Sequence, residues 1–183
     1  MRLRILIVFA LAALLTACKP GSHPAAGPST DSAATPAQSS AAAFDYYVLN
    51  LSWSPEFCYS HPSAPECGEH KAFVLHGLWP QNNDGTCSGL DADAFLSTAR
   101  SAYRSVRIPP EFASLTHQGS ASPDVILGLF IQYNPAIPRA SLALDCGHNY
   151  LTAVEVCLDK SMHPTACSGL RSCRANVVRI PPP

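Results

Sequence analysis

The sequence predicts one α+β domain stabilised by disulfide bonds, preceded by a targeting segment and a flexible tether. Three observations support this prediction. Segments rich in aromatic and β-branched residues mix with helical patterns, without the regular β-α-β order of a parallel-sheet protein. Eight cysteines in a chain that starts with an export signal indicate an oxidising compartment. A stretch rich in Ala, Ser and Pro separates the leader from the part able to fold.

Residues 1–17 are predicted to be a lipoprotein signal peptide. Arg2 and Arg4 give a positive start, and the apolar run over residues 5–15 is too short to span a bilayer as a stable helix. The segment ends in Leu-Thr-Ala before Cys18, which resembles a bacterial lipobox. We therefore expect a lipid on Cys18 and a location on the periplasmic side of a bacterial cell envelope. Lys19, with no aspartate beside it, favours the outer membrane. The alternative is an ordinary cleaved signal.

Residues 18–43 are predicted to be a tether, since they lack aromatic residues and hydrophobic periodicity. The remaining residues, 44–183, suit a single domain. The net charge of the chain is −1 at pH 7, so its composition provides no basic field for nucleic acid. Any RNA must therefore be bound at local sites.

The elements of the domain are predicted from periodicity and from capping residues. Strands are expected where aromatic and branched residues concentrate, and helices where apolar residues recur on one face. Ser122, Pro123 and Asp124 together form a strong helix start. The predicted strands are residues 44–53, 71–76, 141–146, 150–159 and 176–180, and the predicted helices are residues 91–106 and a second from Ser122 to just before Asn134.

The cysteine count is odd once Cys18 is assigned to a lipid. Cys58 and Cys67 flank a short loop and are predicted to pair. Four further cysteines, near the C-terminus, can pair among themselves. Cys87 is then left over, and it is predicted to be a free thiol or to form an intermolecular disulfide. No pair shows the close CxxC spacing of a zinc site, so we expect neither a metal nor another cofactor. The four cysteines near the C-terminus can form two bridges in any of three connectivities: Cys146, Cys157, Cys167 and Cys173.

Residues 73–80, with the sequence FVLHGLWP, form the most informative segment. The apolar strand is expected to end at His76, with Gly77 turning the backbone and Pro80 stopping the strand. His76 can move protons near neutral pH, and Trp79 offers a flat surface on which a base could stack. From the residues alone, a hydrogen-bonded structural histidine is the commoner outcome for such a segment.

The segment FVLHGLWPQ resembles the first active-site motif of the ribonuclease T2 family of secreted endoribonucleases. LSWSPEFC, residues 51–58, is similar to the family's first strand and the Trp-Ser-Pro stretch and cysteine that follow it. LTAVEVC, residues 151–157, resembles the family's late strand. The resemblance implies the family's fold, an antiparallel sheet with packed helices.

The resemblance also implies metal-independent cleavage of single-stranded RNA by a monomer. In this family the ribose 2′-OH attacks the adjacent phosphorus and a 2′,3′-cyclic phosphate forms, which needs an acid, a base and positive charge near the phosphate. A 2′-OH nucleophile explains the choice of RNA over DNA. His76 carries over as an acid-base group, and Trp79 as part of the substrate-facing wall.

The family's second active-site motif, approximately His-Glu-Trp-x-Lys/Thr-His-Gly-Thr-Cys, is largely missing. Only a tail, Gly-Thr-Cys at residues 85–87, follows Asp84. The resemblance implies that Cys87 has lost a partner lying between the motifs. An internal deletion near residues 84–85 accounts for both the missing motif and the odd cysteine. The alternative is a divergent branch with another second acid-base group, for which His117 is the first candidate.

The missing motif makes the predicted activity weak or absent, because losing one general acid or base costs about 10²–10⁴-fold. A non-catalytic periplasmic lipoprotein that binds nucleotides or a protein between His76 and Trp79 is the main alternative. A third possibility is a structural protein in which His76 belongs to the core.

Overall fold

The computed structural model describes residues 44–86 and 95–183. The predicted signal peptide and tether, with Cys18, and the predicted free thiol Cys87 lie outside these described residues. The strands are β1 (Tyr46–Trp53), β2 (Phe73–Gln81), β3 (Gly119–Ala121), β4 (Leu142–Gly147), β5 (Tyr150–Leu158) and β6 (Val178–Ile180); the helices are α1 (Ser54–Ser60), α2 (Leu96–Ser105), α3 (Pro110–Ala113) and α4 (Pro123–Tyr133).

The six strands found in the described residues form one sheet in the order β2-β1-β5-β6-β3, and β4 also pairs with β5. The pairs β1–β2, β1–β5, β4–β5 and β3–β6 are antiparallel. A single parallel pair, Tyr150 with Arg179, joins β5 to β6. The fold is therefore α+β as predicted, with a sheet that is antiparallel except at this one contact.

The two faces of β1 have different roles because side chains alternate along a strand. Leu49, Leu51 and Trp53 are buried in the main core, against apolar residues of α2, α4 and β5. The opposite face, here called the site face, carries Tyr46 and Val48, buried in a smaller cluster with Cys157, and then Asn50 and Ser52. The site face is thus apolar at one end and polar at the other.

Three disulfide bonds join the six cysteines of the described segments. Cys58 pairs with Cys67, which confirms the predicted pairing. Of the three possible connectivities of the later four, the structure has Cys146–Cys173 and Cys157–Cys167. The last bridge holds the loop around residue 167 against the site face, beside the cluster of Tyr46 and Val48.

Helix α4 begins and ends where the sequence predicted. Ser122 caps it, and its hydroxyl accepts a hydrogen bond from the Val125 amide at 3.4 Å. Helix α2 ends at Ser105 as the pattern predicted, although residues 91–94 of the predicted helix are not described. Short α1, α3 and β3 were not predicted, since elements of this length have too few residues to show a period.

The predicted end of the second strand at His76 is wrong, because β2 continues to Gln81. Pro80 lies within the strand and pairs with Tyr47. Proline is tolerated there because β2 is at one end of the sheet order, and an edge strand has backbone positions that need no ladder hydrogen bond.

Candidate functional site

His76 is the extra residue of a β-bulge on the edge strand. Asn50 pairs with Gly77 and Leu51 with Leu75, so His76 itself has no partner on β1. A bulge bends the strand and redirects a side chain, and such bulges are frequent beside functional sites. The exposed imidazole is therefore held by an irregularity within the strand, and not by a strand end as the sequence had suggested.

Trp79 lies next to His76, with ring centroids 5.7 Å apart and planes at 88°. Its indole packs partly on the small apolar cluster that contains Val48, its cross-strand partner. A Cβ added at Gly77 would lie 3.1 Å from Trp79 Nε1, so the glycine provides room for the indole. Gly77 is thus needed for close packing of the ring and not for a sharp turn.

A row of hydrogen bonds leads from His76 into the sheet. His76 Nδ1 lies 3.2 Å from Ser52 Oγ. Ser52 Oγ donates to Asn50 Oδ1 at 3.1 Å, and Asn50 Nδ2 donates to Glu155 Oε1 at 3.2 Å. These four residues, here called the polar row, cross three adjacent strands, β2, β1 and β5.

Glu155 lies at the inner end of the polar row, directly across from Asn50 in the β1–β5 register. Burial, and after it the negative charge of Asp145 on β4, raise the pKa of its carboxyl to about 7, although the hydrogen bond from Asn50 lowers it. A carboxyl group that changes charge near neutral pH therefore lies two side chains away from the exposed histidine.

The other histidines of the described segments have contacts or turn positions of their own. His61 stacks on Phe57 with centroids 4.3 Å apart, and His163 lies 3.8 Å from the carboxylate of Asp159. His70 follows a 3₁₀ turn in a left-handed conformation with φ 47°, and His148 has φ 52° in the turn between β4 and β5.

His117, the first candidate for a replacement acid-base group, makes no recorded contact with His76. It is exposed, and its Nδ1 lies 2.9 Å from Thr116 Oγ1. It precedes β3, which is at the opposite end of the sheet order from β2. No hydrogen bond or ring contact of the described residues joins His117 to His76.

The chain turns directly after β2, at the position of the inferred deletion. The Gly85 amide donates to the Asn82 carbonyl at 3.0 Å, and the Asn82 amide donates to the Thr86 carbonyl at 3.2 Å. The amide and hydroxyl of Thr86 both donate to Asp84, and these bonds lower the pKa of that carboxyl. Residues 82–86 therefore form a closed, hydrogen-bonded turn.

Residues 44–86 and 95–183 contain neither a metal-binding cluster nor a membrane-spanning helix. No group of three or more His, Cys, Asp or Glu side chains is placed to hold a metal ion. No helix in this part of the chain has the length and apolar character needed to cross a membrane.

Comparison with known proteins supports the resemblance to a family. A model of the ribonuclease T2 family matches residues 44–104, which include β1, the bulge at His76 and Trp79. This match supports the predicted resemblance to the ribonuclease T2 family over about a third of the chain. A ribonuclease of Aeromonas hydrophila is 49% identical over 55 residues, covering 30% of this chain and 26% of that protein. A probable ribonuclease of Haemophilus influenzae is 44% identical over 57 residues, covering 25% and 21%. The matched segment thus spans about a quarter of the length of these relatives.

Solved structures extend the likeness over the whole domain. An RNase-related protein from Calystegia sepium superposes with a TM-score of 0.58 at 18% identity, over 75% of this chain and 97% of that one. A mutant of RNase MC1 in complex with 5′-GMP gives a TM-score of 0.55 at 16% identity, over 74% and 99%. At such identities the likeness concerns the fold alone, and it confirms the predicted T2-like, disulfide-stabilised α+β architecture.

Sequence reasoning identified His76 and Trp79 but missed the other three residues of the polar row. Asn50 and Ser52 interrupt the otherwise largely apolar β1 at alternate positions, which places both on one face. Glu155 likewise interrupts the apolar β5. A polar residue within a buried strand was the available signal, but the register that joins the two strands could not be derived from it.

Proposed function

We propose that the surface formed by His76 and Trp79 binds single-stranded RNA, and that His76 serves there as the acid-base group of a T2-type transesterification. The observation that carries this proposal is the position of His76. Its exposed ring lies on a bulge with an aromatic face beside it, within the segment that matches the family. The RNase MC1 structure, a relative in fold, contains a bound 5′-GMP.

The geometry supports the first proton transfer of this reaction. Because His76 Nδ1 faces Ser52, the Nε2 atom is the ring nitrogen available to a ribose 2′-OH. As Nε2 takes this proton, the 2′-oxygen attacks phosphorus and the bond to the 5′-oxygen breaks, leaving a 2′,3′-cyclic phosphate. The Trp79 ring, whose centroid lies 5.7 Å from that of the His76 ring, offers a surface on which a base can stack.

The second half of the reaction has no dedicated group in the described part of the chain. The leaving 5′-oxygen needs a proton, and among residues 44–86 and 95–183 no hydrogen bond or ring contact joins a second histidine to His76. Water must then supply the proton, at a cost of about 10²–10⁴-fold in rate. We therefore infer a weakly active or inactive enzyme.

Single-stranded RNA cleavage in the presence of EDTA tests this proposal. The expected result is slow release of 2′,3′-cyclic phosphate ends that is lost in His76→Ala and retained in His163→Ala, an exposed histidine of the β5–β6 loop. Turnover that survives His76→Ala would contradict the assignment of His76.

Binding without catalysis is the second candidate function, and the missing partner histidine favours it. The chain has two tryptophans, and Trp53 is only 1% exposed, so a ligand at the site face should quench Trp79 selectively. Saturable quenching by 5′-GMP that disappears in Trp79→Phe, with no RNA cleavage, would establish a nucleotide-binding protein.

We also propose that the protein is anchored through a lipid on Cys18 on the periplasmic side of a bacterial envelope. The basic start, short apolar run and Leu-Thr-Ala-Cys sequence support this. The tether of residues 18–43 would let the domain reach RNA away from the membrane surface.

A further inference from the structure

The polar row has a direction when Glu155 is ionised, because each of its members then has a defined number of protons to donate. An ionised carboxylate only accepts hydrogen bonds, so the Asn50 amide must turn its NH₂ group towards Glu155. The Asn50 oxygen is then left facing Ser52, and it accepts the single hydroxyl proton of Ser52.

The outermost hydrogen bond of the polar row joins Ser52 to His76. With its proton already given to Asn50, Ser52 Oγ has only lone pairs to offer to His76 Nδ1. A favourable contact at 3.2 Å then requires a proton on Nδ1. In a neutral imidazole the other nitrogen, Nε2, must in that case carry the lone pair.

We propose that Glu155, Asn50 and Ser52 are positioning residues that fix neutral His76 in the tautomer protonated on Nδ1, so that Nε2 is presented as a proton acceptor. The proposal deepens the proposed function and rests on it for its catalytic meaning. A group that orients a catalytic imidazole from behind is a general device of acid-base and nucleophilic sites.

Two structural features support the proposal. Asn50 and Glu155 are direct cross-strand neighbours, so the inner half of the row is fixed by backbone pairing. The bulge at His76 brings the ring within reach of Ser52, whose own backbone partner on β2 is Val74. Both ends of the row are thus set by the sheet, and the direction of donation is set by the inner carboxylate.

The tautomer is measurable without RNA. Protein labelled with ¹⁵N-histidine is examined by long-range ¹H–¹⁵N correlation at about pH 8.5, above the ordinary histidine pKa of about 6.5. His76 is assigned as the ring missing from the spectrum of His76→Gln. In the unsubstituted protein, Nδ1 is expected at the position of a protonated nitrogen and Nε2 at that of an unprotonated one.

Variants of the row make the test decisive. Ser52→Ala removes the acceptor and should shift His76 to the Nε2–H tautomer that free histidine prefers, whereas Ser52→Thr keeps the hydroxyl and should keep the tautomer. Glu155→Gln, whose amide can donate or accept, should give a mixture. Ser120→Ala, an exposed serine of β3, should change nothing.

An Nε2–H tautomer in the unsubstituted protein, or no change in Ser52→Ala, would overturn the proposal. Its failure is distinguishable from failure of the proposed function. If the tautomer responds as expected while RNA is not cleaved, the positioning row stands and the catalytic role fails. If cleavage depends on His76 while the tautomer is the same in Ser52→Ala, the catalytic role stands and the positioning role fails.

Discussion

Ser52 Oγ lies 3.2 Å from His76 Nδ1, and this contact ties the exposed histidine of the edge strand to the interior of the sheet. It gives an imidazole on an irregular strand a fixed orientation. The backbone of the bulge and the adjacent Trp79 ring also restrict His76. The segment that resembles the first active-site motif is therefore supported by β1 and β5, although the chain lacks most of the second motif.

Glu155 should make stability depend on pH. Its pKa of about 7 in the folded protein exceeds the ordinary 4.5, so the folded state binds more protons between these values. The free energy of unfolding should then fall as pH rises from about 5 to 8, by at most about 3 kcal/mol. Urea unfolding should show this fall for the unsubstituted protein relative to Glu155→Gln. Glu66→Gln, an exposed control, should keep the dependence, and a Glu155→Gln protein that also keeps it would refute the assignment to Glu155.

Gly85 should resist substitution because its φ is +81° and an added Cβ would lie 2.7 Å from the Gly169 carbonyl oxygen. We expect Gly85→Ala to lower the free energy of unfolding by more than about 1 kcal/mol. Gly128, in α4 with open space around it, is the matched control, and Gly128→Ala should stabilise by up to about 1 kcal/mol. Equal effects in chemical denaturation would show that the turn of residues 82–86 is not packed as described.

Gly77→Ala should displace the Trp79 ring, since the added methyl would lie 3.1 Å from its Nε1 atom. Altered accessibility of Trp79 to acrylamide is the expected result, together with weaker quenching by 5′-GMP if that nucleotide binds. Gly68→Ala places its methyl in open space and serves as the control. Unchanged Trp79 fluorescence in Gly77→Ala would mean that the indole is not held against this glycine.

Cys18 should carry a lipid in cells. Labelling with a radioactive fatty acid should mark the protein and place it in the membrane fraction, because several acyl chains on one residue anchor stably. Both the label and the membrane location should be lost in Cys18→Ala. Retention of both in that variant would show that another residue carries the anchor.

Local signals predicted much of this fold. Helix α4 was predicted from Ser122 and the apolar period that follows, β5 from its run of branched residues, and Cys58–Cys67 from proximity in sequence. The contact of Asn50 with Glu155 joins residues 105 positions apart and depends on strand register, which no local pattern specifies. The bulge at His76 escaped prediction for the same reason, since it exists only relative to β1.

The central claim is that this domain keeps the first half of a T2 active site and lacks the second. It is tested most directly by inserting a family-like segment between Asp84 and Gly85, carrying the second motif and its additional cysteine. Cleavage of single-stranded RNA should rise steeply, depend on His76, and be accompanied by loss of the titratable thiol of Cys87. The same insert with its histidines changed to alanine should remove the thiol without restoring cleavage. A folded insertion variant that neither cleaves RNA nor loses the thiol would contradict the account.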